Sequence, residues 1–287
     1  MARSQLISVR ELSDILNQED LRVIDCRFDL GRPEAGRGAY LAGHIPGAVY
    51  AHLDDDLAGP VSEKTGRHPL PDPDELAARL GAMGVASNTR VVVYDAGNGA
   101  IAARAWWLLR WLGHDEVQLL NGGFAAWQKN GLETVTGEES AIRRRFEPRP
   151  RNEWIMTTAE LLEAGDAIGS MNLLDARDAA RFRGESEPID PVAGHVPGAR
   201  SLPLTESLAA NGQFLDQTAL QALWKSVLGD SSEAPWIVMC GSGVTACHLA
   251  LSGIEAGYME PRVYVGSWSE WIRDPDRAVA TGADETT

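Results

Sequence analysis

At 287 residues and 44% hydrophobic content, the chain is long enough to bury substantial cores and sets a soft prior of two domains. Its formal net charge of -15 repels a nucleic-acid backbone and excludes DNA or RNA as expected partners. The first ten residues lack the apolar core of a signal peptide, and no apolar run approaches the roughly 20 residues that span a bilayer, so a soluble, cytoplasmic protein with no membrane partner is expected.

The first half reads as a series of helices, strands and turns. Ser8-Val-Arg-Glu11 has the pattern of a capping box opening a helix, and Val23-Ile-Asp-Cys-Arg27 reads as a strand. Gly43-His-Ile-Pro-Gly-Ala48 is a turn. Arg90-Val-Val-Val-Tyr-Asp95 is a short apolar run of the kind found in buried parallel strands, and it breaks into Asp95-Ala-Gly-Asn-Gly-Ala100 and a helical stretch. Val117 to Trp127 gives a further strand, a glycine turn and the start of a helix. Residues 135–153, rich in Arg, Glu and Pro without a clear period, read as a linker, and the run Arg143-Arg-Arg145 as part of its solvated face.

The second half repeats the first. Thr157-Thr-Ala-Glu160 is another capping-box pattern, Leu173-Leu-Asp-Ala-Arg177 matches the first strand, and Gly194-His-Val-Pro-Gly-Ala199 matches the turn. Trp236 to Cys240 matches Arg90 to Asp95, and Val263 to Trp271 matches Val117 to Trp127. The chain is therefore one duplicated α/β unit, with expected domains at 1–134 and 154–287 joined by 135–153. Trp127 and Trp271 recur at matching places and are expected to plug the two cores, as is the pair Trp106 and Trp107.

Three cysteines, Cys26, Cys240 and Cys247, are an odd number without zinc-type spacing, which fits free thiols in a reducing compartment and no bound metal or cofactor. Cys240 differs from the other two in the loop that it opens. Gly241-Ser242-Gly243-Val244-Thr245 leads from a strand into a helix beginning at Ala246. Two glycines let successive amides turn inward, and the helix start adds unpaired N–H groups and the positive end of its dipole. Such a ring favours an anion, and only a thiolate attacks sulfur. The same donors would suit the terminal sulfur of a persulfide. Cys26 and Cys247 lack such a loop and read as structural.

Cys240-Gly-Ser-Gly-Val-Thr-Ala246, the two Gly-His-(Ile/Val)-Pro-Gly-Ala segments and Gly266-Ser-Trp-Ser-Glu-Trp271 resemble the tandem rhodanese-domain sulfurtransferases over nearly the whole chain. The Cys-Gly-Ser-Gly-Val-Thr loop is similar to that of the 3-mercaptopyruvate sulfurtransferases. The resemblance implies an α/β fold of two tandem rhodanese-like domains, each a mainly parallel sheet with helices on both faces. It implies transfer of sulfane sulfur from a small anionic donor, 3-mercaptopyruvate, through a Cys240 persulfide to a thiol, thioredoxin or cyanide acceptor. A thiosulfate:cyanide sulfurtransferase on the same fold is the nearest alternative; thiosulfate-preferring relatives, however, usually carry basic residues just after the cysteine, and this loop has none. A cysteine phosphatase would need an arginine at position 246, which is Ala, and a non-catalytic anion-binding module is the remoter reading.

The first half is expected to be inactive, because Asp95 stands where the thiol would be. In the second half, Arg181 resembles the family's carboxylate-binding arginine, while the alternative is a surface arginine paired to Glu185 or Glu187. The family's second substrate arginine has no counterpart in Ser186-Glu-Pro-Ile-Asp190, and Arg183 is the candidate substitute. Gly241, Gly243, Val244 and Thr245 are expected to bind substrate through the loop. Ser242 sits where the family's loop hydroxyl is proposed to help move a proton. His44 is a candidate relay partner for it, the alternative being a structural role shared with His195 in the matching turn.

Overall fold

The computed structural model describes residues 3–283 and divides them into two compact units. In unit 1, five parallel strands, β1 (Leu6–Ile7), β2 (Leu21–Asp25), β3 (Ala48–Tyr50), β4 (Arg90–Tyr94) and β5 (Val117–Leu120), lie in the order β1-β5-β4-β2-β3. The helices between them are α1 (Val9–Ile15), α2 (Ala35–Ala42), α3 (Pro73–Ala82), α4 (Ala102–Trp111) and α5 (Gly123–Lys129). Unit 2 repeats the plan with β6 (Ile155–Met156), β7 (Leu173–Asp175), β8 (Arg200–Ser201), β9 (Ile237–Met239) and β10 (Arg262–Tyr264), in the order β6-β10-β9-β7-β8 and again all parallel. Its helices are α6 (Thr158–Ala164), α7 (Ala179–Phe182), α8 (Gln217–Leu228), α9 (Ala246–Glu255) and α10 (Ser267–Trp271).

Local chemistry accounts for matching elements in the two units. Both capping boxes form: the Ser8 hydroxyl accepts from the Glu11 amide while the Glu11 carboxylate takes the Ser8 amide, and Thr157 and Glu160 do the same. Val91, Val92 and Val93, like Ile237, Val238 and Met239, are buried without alternation, as central strands of a covered parallel sheet must be. At the end of β2, the Arg27 guanidinium grips both oxygens of the buried Asp25 and donates to the Gly43 carbonyl at 2.7 Å; Arg177 does the same with Asp175 and the Gly194 carbonyl at 2.8 Å. These pairs fix each Gly-His-x-Pro-Gly turn to the end of its strand. Trp127 and Trp271 are buried, each donating its indole N–H to a carbonyl six or seven residues on.

The units are not the two halves of the sequence. Unit 1 holds Met1–Gly59, Pro71–Arg151 and also Leu208–Phe214, whereas unit 2 holds Asn152–Ser207, Leu215–Thr287 and also Pro60–Leu70. Each half thus lends one segment to the other's unit, an exchange that the expected cut at 135–153 does not contain. Residues 135–151 pack onto unit 1: Val135 pairs with His44, and the amides of Arg144, Arg149 and Arg151 donate to the carbonyls of Gly81, Leu112 and Trp111. Among the described residues, no helix is long and apolar enough to cross a membrane.

Candidate active site

The two strand-to-helix loops show how the duplicated unit treats a negative charge. In unit 1, Asp95 ends β4 and its carboxylate turns back into its own loop. One oxygen accepts from the amides of Gly97 (2.9 Å) and Gly99 (3.0 Å), and the other from Ile101 (3.0 Å) and Ala102 (3.2 Å). Four backbone donors therefore surround an anion that the chain supplies itself. In unit 2 the loop is one residue shorter: the left-handed glycine comes three residues after Cys240 (Gly243, φ 77°), not four residues on as after Asp95 (Gly99, φ 79°). Only glycine fits there, because a Cβ on Gly243 would stand 2.6 Å from the Val265 carbonyl. The amides of Ser242, Val244 and Thr245 donate to no other group among the described residues. A cradle filled by carboxylate in one unit is thus left open beside a thiol in the other.

Cys240 is buried and its backbone is held from two sides. Its amide donates to Ser267 Oγ at 3.1 Å and its carbonyl accepts from the Trp268 amide at 3.0 Å. Ser267 has φ 53°, a left-handed conformation that disfavours side chains, and the matching position in unit 1 is Gly123 with φ 54°. There a Cβ would come 2.5 Å from the Asp95 carbonyl, so glycine is required; in unit 2 the hydroxyl bridges Cys240 N–H and the Tyr264 carbonyl instead.

The exchanged segment 60–70 reaches this loop. The Arg67 amide donates to Ser269 Oγ at 3.0 Å, and Arg273 Nε donates to the Thr65 carbonyl at 3.0 Å. His68 is buried with Nδ1 2.7 Å from Ser242 Oγ. Arg67 makes an ion pair with Asp190. A Cβ on Gly241 would lie 2.8 Å from Arg67 Nη2 and 3.7 and 3.8 Å from the terminal nitrogens of Arg181, so two guanidinium groups converge on the residue beside the thiol.

Behind them stands a balanced set of charges. Arg181 grips Glu187 through Nε (3.0 and 3.1 Å) and reaches Asp190 through Nη2 at 3.1 Å. Arg177, stacked 4.7 Å over the Trp268 ring, pairs with Asp175 and lies 3.5 Å from Glu187. Three arginines (Arg67, Arg177, Arg181) thus face three carboxylates (Asp175, Glu187, Asp190). Burial pushes the Asp190 carboxyl above its ordinary range despite Arg67 and Arg181. Burial opposes ionisation of Glu187 as well, but hydrogen bonds from Arg181 and from the Asp190 and Ile189 amides outweigh it and hold its pKa down. Burial also works against Arg177, yet its pairing with Asp175 and the nearby Glu187 hold its pKa above the usual value.

Of the residues singled out from sequence, the structure brings Cys240, Gly241, Ser242, Gly243, Val244, Thr245 and Arg181 together. Two candidates stand elsewhere. His44 is not the histidine at Ser242: it lies in unit 1, with Nδ1 2.8 Å from the Tyr40 carbonyl and its ring stacked on Tyr40. His195 repeats that arrangement on Phe182, at 2.8 Å from its carbonyl, so both histidines tie down their own turns. Arg183 pairs with Glu185 on the surface and is not placed with Arg181, which takes Glu187 and faces the loop at once. Sequence reasoning missed Arg67, His68 and Ser267. The one signal for the first two was a basic pair, Arg67-His68, in an aperiodic segment of an acidic chain. Cys26 is buried and its thiol pKa is pushed up by burial, with Asp25 and Asp95 adding to the effect; Cys247 donates to the Gly243 carbonyl at 3.3 Å.

A cavity of about 1000 Å³ in unit 2 is lined by Leu161, Ile168, His195, Arg200, Trp271 and Arg277 and does not include Cys240, so volume does not locate this site. Among the described residues, no group of three or more His, Cys, Asp or Glu side chains is placed to hold a metal ion.

The rhodanese-like domain family matches residues 8–130 and 157–274. A probable 3-mercaptopyruvate sulfurtransferase of Pseudomonas aeruginosa is 48% identical, covering 98% of this chain and all of its own length. A putative thiosulfate sulfurtransferase of Mycobacterium tuberculosis is 39% identical over 98% of this chain and 99% of its own. Among solved structures, the 3-mercaptopyruvate sulfurtransferase from Leishmania major superimposes with a TM-score of 0.82 at 31% identity, covering 95% of this chain and 76% of that one.

Proposed function

Because the chain belongs to the rhodanese-like family, we propose that it is a sulfurtransferase whose Cys240 takes the sulfur of 3-mercaptopyruvate and passes it to a thiol, thioredoxin or cyanide. The observation that carries this reading is the open amide loop at Cys240, the counterpart of a loop that holds a carboxylate in unit 1.

The chemistry balances with groups at hand. The Cys240 thiolate attacks the donor sulfur, the carbon–sulfur bond breaks, and its electron pair leaves as the enolate of pyruvate. The donor's thiol proton ends on the enolate carbon, giving pyruvate and a Cys240 persulfide anion. Ser242, held by His68 at 2.7 Å, is the group through which that proton moves. The open amides stabilise the outer sulfur, and attack by an acceptor thiolate or cyanide then regenerates Cys240. Three free cysteines support a reducing, cytoplasmic setting.

The balanced cluster favours a monocarboxylate over thiosulfate. Arginines already paired with carboxylates offer directional hydrogen bonds without a large net positive field, and a dianion gains less from them than a planar carboxylate does. The alternative donor is thiosulfate, which the name of the M. tuberculosis relative favours. Steady-state turnover decides between them: pyruvate release from mercaptopyruvate is expected to exceed sulfite release from thiosulfate by at least about tenfold in kcat/KM, a gap of about 1.4 kcal/mol. Faster turnover of thiosulfate would overturn the assignment of the donor.

A further inference from the structure

We propose that the cavity of about 1000 Å³ in unit 2 binds a second small molecule, a carboxylate with an apolar or aromatic body, and that Arg277 grips its charge. Neither Cys240 and its loop nor Arg67 or Arg181 lines this cavity, so the inference stands apart from the choice of sulfur donor.

The duplication shows what is particular to this place. In unit 1, Trp127 donates its indole N–H to the Glu133 carbonyl, and the residue before that carbonyl, Leu132, packs against the hydrophobic core. In unit 2, Trp271 donates to the Ala278 carbonyl, and the residue before it is Arg277. A guanidinium therefore stands where the other unit puts an apolar plug. The stretch between first helix and next strand is also longer in unit 2, residues 165–172 against 16–20, and it holds a 3-10 turn, Gly165–Ser170. That turn packs on the Gly-His-Val-Pro-Gly turn: a Cβ on Gly198 would stand 2.8 Å from the Gly169 nitrogen, whereas one on its counterpart Gly47 would meet nothing within 4 Å. An added wall and a missing plug make the chamber.

Arg277 meets it with an unused edge. Its Nη1 donates to the Glu270 and Trp271 carbonyls at 2.8 and 3.1 Å, which fixes the end of α10. The opposite edge, Nε with Nη2, has no hydrogen-bond partner among the described residues, and Nε is buried. Asp274 Oδ2 lies 3.7 Å from Nε, beyond hydrogen-bond reach, and its side chain is 48% exposed, so that ion pair is loose and solvated. An edge of this kind takes a carboxylate through two parallel hydrogen bonds. The lining charges, Arg200 and Arg277 against Asp274 and Asp276, balance, so the unused fork and not a net field selects the anion. Beside it Leu161, Ile168 and Trp271 form an apolar wall for the body of the ligand. His195, whose Nδ1 and one ring face are taken by Phe182, turns the rest of its ring to the same space.

The test is calorimetric titration of the full chain with phenylacetate, with phenylacetamide, which keeps the body without the charge, and with acetate, which keeps the charge without the body. Phenylacetate is expected to bind with a Kd of about 1 mM or below, and each analogue at least about tenfold more weakly. Arg277→Leu, which installs the residue of unit 1, is expected to weaken phenylacetate by at least about tenfold. Arg181→Ala, which removes a guanidinium beside Cys240, is expected to leave that binding unchanged. No binding of phenylacetate, equally tight binding of either analogue, or full binding by Arg277→Leu would overturn the proposal. Loss of binding in Arg181→Ala would do so as well, because it would place the carboxylate beside Cys240. Should Arg277→Leu fail to fold, Leu162→Glu decides: this lining residue is 49% exposed, and a carboxylate there repels an anion, so unchanged binding would contradict the site.

Discussion

His68 Nδ1 stands 2.7 Å from Ser242 Oγ, although 174 residues separate the two along the chain. Both are buried, and Ser242 follows Cys240 by two residues. If the pair moves the donor's proton, Ser242→Ala and His68→Gln each lower kcat for mercaptopyruvate by about 100-fold with little change in KM, and the double variant is no worse than either alone. Steady-state kinetics of the three variants checks this; losses that multiply would show that the two residues act separately.

Asp95 fills the unit 1 loop with four amide hydrogen bonds. Removing the carboxylate in Asp95→Ala leaves those donors without their acceptor in a buried loop, and a destabilisation of about 3 kcal/mol is expected, visible as a lower urea midpoint. Asp95→Asn, which keeps one acceptor oxygen, is expected to lose less. Equal stability of Asp95→Ala and the native chain would mean that water replaces the carboxylate at no cost.

Ser267 trades backbone strain for position. Its left-handed φ of 53° costs roughly 1 kcal/mol for a residue with a Cβ, while its hydroxyl fixes the Cys240 amide at 3.1 Å. Ser267→Gly relieves the strain and loses the hydroxyl, so its stability stays near that of the native chain while sulfur transfer slows. Ser267→Ala keeps the strain, loses the bonds and is about 1 kcal/mol less stable. Thermal unfolding and turnover of the two variants separate these effects.

His114 supplies a pH signature. It is buried against Phe146, with ring centroids 5.7 Å apart, and burial holds its pKa below the ordinary 6.5. The unfolded chain therefore binds the proton more readily than the native state. The stability that neutral His114 contributes is present above about pH 6.5 and is lost as the pH falls from there toward the lower native pKa. Urea unfolding of His114→Gln across this range is expected to show a shallower acid-side decline than the native chain.

What the sequence discloses is what short stretches decide. Capping boxes need four residues, Asp25-Cys-Arg27 and Asp175-Ala-Arg177 close their ion pairs within three, and the loop after Cys240 is contiguous, so the duplicated α/β plan and the thiol's setting were legible. Arg67, His68 and their partners were not. Arg67 meets Asp190 across 123 residues, and its amide meets Ser269 across 202. A segment exchanged between the two units has no periodicity to announce its destination. For the same reason His44 looked like a relay candidate: its turn is visible in sequence, but the Tyr40 carbonyl that engages its ring is a matter of packing.

The central claim is that Cys240 carries the sulfur. Intact-mass measurement after brief exposure to mercaptopyruvate, followed by removal of free donor, tests it directly, with Cys240→Ser in parallel and Cys26 and Cys247 left in place. The account predicts that the native chain gains the mass of one sulfur atom, lost again on adding cyanide, and that Cys240→Ser gains none. A sulfur retained in Cys240→Ser, or pyruvate released with no sulfur ever found on the native chain, would contradict it.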